Sequence, residues 1–131
     1  MGDQSKEPKY FPSMEAMSEE ERSGLAKSRS KLSERRYDKF VATCKEINGR
    51  TNYDPEDAQK VKDARKDSDE ITDSVEEILT AQEANYLGKS DNKSLKEVED
   101  YWVAISKRRS KTVTLFKETI NALEGKRNKE K

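Results

Sequence analysis

Apolar residues recur along this chain at alternating intervals of three and four, and no segment alternates at intervals of two. The positions Val61, Ala64, Ser68, Ile71, Val75, Ile78 and Gln82 follow that rule. A second series repeats it: Leu95, Val98, Trp102, Ile105, Arg109, Thr112, Phe116, Thr119 and Leu123. A third, Tyr37, Phe40, Cys44 and Ile47, is extended less regularly upstream by Leu25 and Leu32. A repeat averaging 3.5 residues draws one stripe along an α-helix and favours left-handed packing against neighbouring helices. Without period-two alternation there is no strand signal.

Local start and stop signals bracket the three series. Ser18, followed by Glu19, Glu20 and Glu21, reads as an N-cap with an acidic first turn, and Asn48-Gly49 as the stop. Gly24 lies early in this segment, and a start after it is the alternative. Asp54-Pro55 restarts a helix, with Asp54 capping and Pro55 at the tolerated first position, and Gly88 ends it. Ser94-Leu95-Lys96-Glu97 has the form of a capping box, and Gly125 marks the third stop. The predicted helices cover residues of about 18–48, 55–87 and 95–124.

Helices of some thirty residues are roughly 45 Å long, and short connections lay consecutive helices antiparallel. The fold expected is all-α: an elongated, antiparallel up-down-up three-helix bundle with coiled-coil-like heptad seams. It occupies residues 18–125, with an N-terminal arm at 1–17 and a basic C-terminal tail at 126–131. A helix with two neighbours buries more than an a/d stripe. Val41, Leu79, Tyr86, Val113, Leu115 and Ile120 lie beside the seams and supply that width, or else form an outer patch for self-association.

Composition narrows the chemistry. Of 131 residues, 41% are charged and only 31% hydrophobic, so the core is thin. Histidine is absent and there is one cysteine. Histidine-based acid–base catalysis, Ser-His-Asp and Cys-His nucleophiles, and His-ligated or multi-cysteine metal sites are therefore excluded. No glycine-rich phosphate loop is present, so the reading is of a non-enzyme with no catalytic residue, metal ligand, cofactor or small-molecule substrate. Cys44, on the seam, is expected to act as a small buried hydrophobe. With no disulfide pair, no apolar run of signal-peptide length before Phe11 and no membrane-spanning stretch, the expected setting is intracellular and cytoplasmic.

Twenty-seven basic residues balance 27 acidic ones, so net charge does not draw the chain to nucleic acid. Basic residues cluster nonetheless around Arg29, Arg35 and Arg36, around Lys107, Arg108 and Lys111, and from Lys126 onward. They would form a weak footprint for nucleic acid or an acidic partner. The fold offers a plainer role, because antiparallel folding brings the acidic middle of the second helix, Asp67 to Glu77, between the two basic stretches. Ser28, Ser30 and Ser33 read as exposed helix serines, whose phosphorylation would place negative charge where this register wants positive.

The segment Pro8 to Met17 holds two aromatics, two prolines and two methionines before a charged helix. Tyr10, Phe11, Met14 and Met17 are thus candidate partner-binding residues, in an arm that docks elsewhere or caps the bundle. The expected function is a helical protein–protein interaction module, that is, a scaffold, adaptor or regulatory bundle. The alternative is a self-assembling structural subunit of shell, filament or coat type. Nucleic-acid binding through the first and third helices and the tail ranks third. The expected partner is another protein or a second copy, with no membrane.

Overall fold

A computed structural model describes residues 16–130. Three helices, α1 (Glu19–Gly49), α2 (Asp57–Gly88) and α3 (Asn92–Lys129), account for nearly all of them, and no strand occurs among them. All three helices pack on one another as a three-helix bundle. The links at 50–56 and 89–91 reverse the chain each time, so α1 and α3 run parallel and α2 runs against both. α2 packs more closely on each neighbour than α1 and α3 do on each other.

The start of α1 follows the local signal. Ser18 Oγ accepts the amide of Glu21 at 3.0 Å while Glu21 Oε1 accepts that of Ser18 at 2.8 Å. The helix runs through Gly24 without a break, so the later start is not used. At α2 the cap shifts. Asp54 Oδ1 accepts the Glu56 amide at 2.9 Å and its carbonyl accepts that of Asp57 at 3.1 Å. Asp54 thus caps a turn through Pro55, and the helix opens two residues later than expected. Gly88 ends α2 without a left-handed conformation; Ser90 takes it instead, with φ 56°.

Two expectations for α3 are corrected. Its N-cap is Asp91, whose carboxylate receives the Ser94 amide at 3.1 Å and the Ser94 hydroxyl at 2.8 Å. Ser94 is therefore the inner partner of the cap, and the helix starts a turn before the box proposed at Ser94 and Glu97. Nor does α3 stop at Gly125. It continues to Lys129, so most of the predicted tail is helix. Tertiary contacts explain this: Lys126 Nζ donates to the Ile47 carbonyl at 2.7 Å, and Glu130 Oε2 accepts the Tyr53 amide at 3.2 Å. The end of α3 thus caps the end of α1, and Lys126, Arg127 and Lys129 complement its own dipole.

The core divides into two apolar clusters. One, at the α2–α3 turn, joins Ala26, Val75, Ile78, Leu79, Tyr86, Val98 and Ile105. The other, at the α1–α2 turn, joins Phe40, Cys44, Ile47, Val61 and Leu123. The α2 and α3 seams are as predicted, with Leu95, Trp102, Arg109 and Phe116 half-buried and Val98, Ile105, Thr112, Thr119 and Leu123 buried. α1 departs from its prediction. Upstream of Phe40 its buried positions are Ser33 and Ala26, at seven-residue steps, while Leu25 and Leu32 stand half-buried to one side. Ala26 packs in the first apolar cluster and Ser33 bonds Thr72 of α2, so small side chains take the buried stripe here. Leu79 and Tyr86 are buried and Val41, Leu115 and Ile120 pack on the second cluster, whereas Val113 remains 40% exposed.

Between the clusters lies a polar waist. Ser33 and Thr72 hydroxyls meet at 2.7 Å in the interior, and Thr72 Oγ1 also donates to the Ser68 carbonyl at 2.8 Å. Ser33 is fully buried, so it is not an exposed helix serine, and a phosphate there would require the waist to open.

Candidate interaction surface

The charged side chains around the waist define what each face of the bundle presents. Arg109, at an α3 seam position, reaches into the acidic middle of α2. It contacts Asp73, Glu76 at 3.1 Å and Asp69 at 3.5 Å. Burial pulls its pKa down, but hydrogen bonds to Glu76 and Asp73 outweigh that and hold it above the ordinary arginine value. The α2–α3 contact is flanked by Trp102 and Phe116, each seven residues from Arg109, and the Arg65 guanidinium lies 4.6 Å from the centre of the Phe116 ring.

α1 meets α2 differently. Arg29 donates to Ser74 Oγ and Arg36 to the Asp67 carbonyl at 3.2 Å. Burial lowers the Arg29 pKa, with Glu77 opposing it. The cluster proposed as a nucleic-acid footprint is thereby dispersed: Arg29 and Arg36 turn toward α2, while Arg35, Lys107 and Lys111 are exposed and Arg108 is half-buried. The six residues do not gather on one face. Of the proposed arm, Met17 is half-buried and its carbonyl accepts from Arg22 Nη1 at 2.7 Å. Tyr10, Phe11 and Met14 lie outside the described residues.

The loosest contact, between α1 and α3, opens into a groove of about 640 Å³. α1 contributes Ser23, Lys27, Ser30 and Glu34, spaced 4, 3 and 4 residues apart along one face. From α3 come Glu97, Asp100, Tyr101, Ala104 and Arg108, on the face turned to α1. The small side chains Ser23, Ser30 and Ala104 leave the space unfilled. Charges line both rims, yet among the described residues no ion pair crosses the groove. The Arg108 Nε and Nη2 atoms are shielded from solvent and lack a hydrogen-bond acceptor. Asp100 instead takes an exposed partner on its own helix, Lys96 at 3.1 Å.

Two buried groups elsewhere are structural. Cys44 is fully buried; burial pushes its thiol pKa up, with a hydrogen bond to Thr119 opposing, so it is kept from the thiolate form that nucleophilic chemistry needs. Asp57, at the start of α2, is also fully buried and pairs with Arg50 Nη2 at 2.9 Å, which raises the Arg50 pKa. Sequence reasoning passed over this latch, whose only local sign is an acid in a first turn seven residues after an arginine. Among the described residues no group of three or more potential ligands is placed to hold a metal ion, and no helix is long and apolar enough to cross a membrane. No protein-family model, curated protein or solved structure matches this chain.

Proposed function

We propose that the protein is a non-enzymatic helical interaction module, acting in the cytoplasm, whose α1–α3 groove receives a protein partner. The observation that carries this reading is the half-buried Arg108, two of whose guanidinium nitrogens lack an acceptor, in a groove lined by charges that form no ion pair across it among the described residues. A buried donor without an acceptor costs about 1–3 kcal/mol, and a guanidinium that turns outward to a partner's carboxylate is relieved of that cost. Supporting it, the groove is long, lies on rigid helices and mixes charge with a half-buried tyrosine, as protein contact surfaces do. Nucleic-acid binding is disfavoured by the dispersal of the basic residues.

The test compares the full chain with a Lys27→Ala, Tyr101→Ala, Arg108→Ala variant, both tagged and chemically cross-linked in cells. Proteins recovered with the parent should be lost from the variant, while helicity and melting temperature stay matched. Recovery of the same proteins by both would rule out this groove as the working surface.

A further inference from the structure

The charge order along the groove face of α3 identifies one occupant. Glu97 and Asp100 lie below Ala104; Arg108 and Lys111 lie above it. Asp100 and Arg108 are each four residues from Ala104, and Glu97 and Lys111 are each seven. These spacings return to the same side of a helix at 100° per residue, so the five residues form one stripe. The stripe is acidic at one end, basic at the other and small in the middle. We propose that this face is the contact of a homodimer, in which the α3 helices of two copies cross antiparallel on a twofold axis at Ala104.

That operation sets Asp100 against Arg108 of the partner subunit and Glu97 against the partner's Lys111, and each pair occurs twice because a twofold contact is isologous. A parallel pairing would instead set every charge against its own copy. Ala104 on the axis lets the backbones approach, and the incoming Asp100 gives the half-buried Arg108 side chain a carboxylate to turn outward to. The intrahelical Lys96–Asp100 pair is given up at small cost, since both side chains are about two-thirds exposed. Lys27 and Glu34 on α1 run in the opposite order, basic below and acidic above, so the second copy sits on α3 and not on α1. This inference rests on the reading of the face as a contact surface and names its partner as a second copy of this chain.

Sedimentation equilibrium of the full chain tests it. At low salt the mass should rise from 15.1 kDa toward twice that with concentration. Raising the salt to 1 M, where the screening length falls to about 3 Å, should weaken association about tenfold or more. Asp100→Arg and Arg108→Asp should each be monomeric alone, and an equimolar mixture should dimerise, because the reversed charges again face opposites. Both residues lie outside the apolar clusters, and unchanged melting curves will confirm that the variants fold. In a Cys44→Ser background, Ala104→Cys should oxidise to a disulfide dimer and Glu97→Cys should not. A parent that stays monomeric at every concentration overturns the homodimer. So does dimerisation of either single variant as strong as the parent's, or a mixture that fails to associate. If the parent is monomeric and the Lys27, Tyr101 and Arg108 triple variant still loses its captured proteins, the homodimer fails while the interaction-module reading stands.

Discussion

The apolar ends of the bundle and its polar waist are built on opposite rules. At the ends, Phe40, Ile47, Val61, Ile78 and Leu79 are within 1% of complete burial, each stabilising the fold by roughly 1.5–3 kcal/mol through area removed from water. At the waist the buried positions include Ser33, Ser68, Thr72 and Thr112, whose burial is offset only by the hydrogen bonds they find. The ends hold the helices together without choosing among registers, since one seven-residue slip still sets apolar against apolar. The waist chooses. Ser33 meets Thr72, and Arg109 meets Asp69, Asp73 and Glu76, at one alignment only. Stability and specificity are thus separated along the long axis.

The largest break in this contrast is Phe40→Ala. Its ring is fully buried in the smaller cluster, so a loss of about 3–5 kcal/mol is expected, read as a fall in the urea midpoint or outright loss of cooperative unfolding. A cost under about 1 kcal/mol would mean that the ends do not carry the stability. The waist responds in a different way. Ser33→Ala leaves Thr72 short of a buried partner and should cost about 1–3 kcal/mol, whereas Ser33→Ala with Thr72→Val removes both hydroxyls and should cost less than the two single changes together. Additive costs would show that the hydroxyl pair is not a coupled unit.

Arg109→Gln should have a smaller effect, about 1 kcal/mol at low salt and less at high salt, because its carboxylate partners are about a third or more exposed. An effect independent of salt would assign Arg109 a packing role instead. The smallest expected effect is on pH. Glu19, hydrogen-bonded to Lys89, and Asp91, hydrogen-bonded to Ser94, have pKa values below their ordinary 4.5 and 3.8. Carboxylates with depressed folded pKa values stabilise fully above the unfolded values, and that contribution is lost as pH falls through the folded ones. Acidification below about pH 4 should therefore loosen the α2–α3 turn first. Amide exchange at the amides of residues 89–94 rising ahead of that at Phe40 and Cys44 is the expected result, and uniform exchange would contradict it.

Much of this fold is written in local patterns. Ser18 and Glu21 cap each other within one turn, and Val61 to Gln82 face inward because a helix returns to the same side every three to four residues. Such signals involve neighbours a few positions apart, so the number of helices, the seams of α2 and α3 and the antiparallel order followed from sequence alone. The candidate site was less legible. The seam spacing set Arg109 apart from Arg108, but only the placement of α1 and α2 left two nitrogens of Arg108 without an acceptor and gave Arg109 three carboxylates.

Tertiary structure also decided between candidates that local pattern left level. Leu25 and Leu32 are the more hydrophobic pair, yet Ala26 and Ser33 face inward, where Ala26 joins an apolar cluster and Thr72 is there to bond Ser33. Gly125 is a stop signal in isolation, yet α3 continues past it because Lys126 and Glu130 find partners on α1 and in the loop after it. The sequence by itself determined the periodicity, the helix starts within a turn and the absence of histidine chemistry, all properties of short stretches of chain. Which stripe faces the core, where the last helix ends and which arginine finds its carboxylates depend on groups 33 to 79 residues apart, and only the folded bundle brings those together.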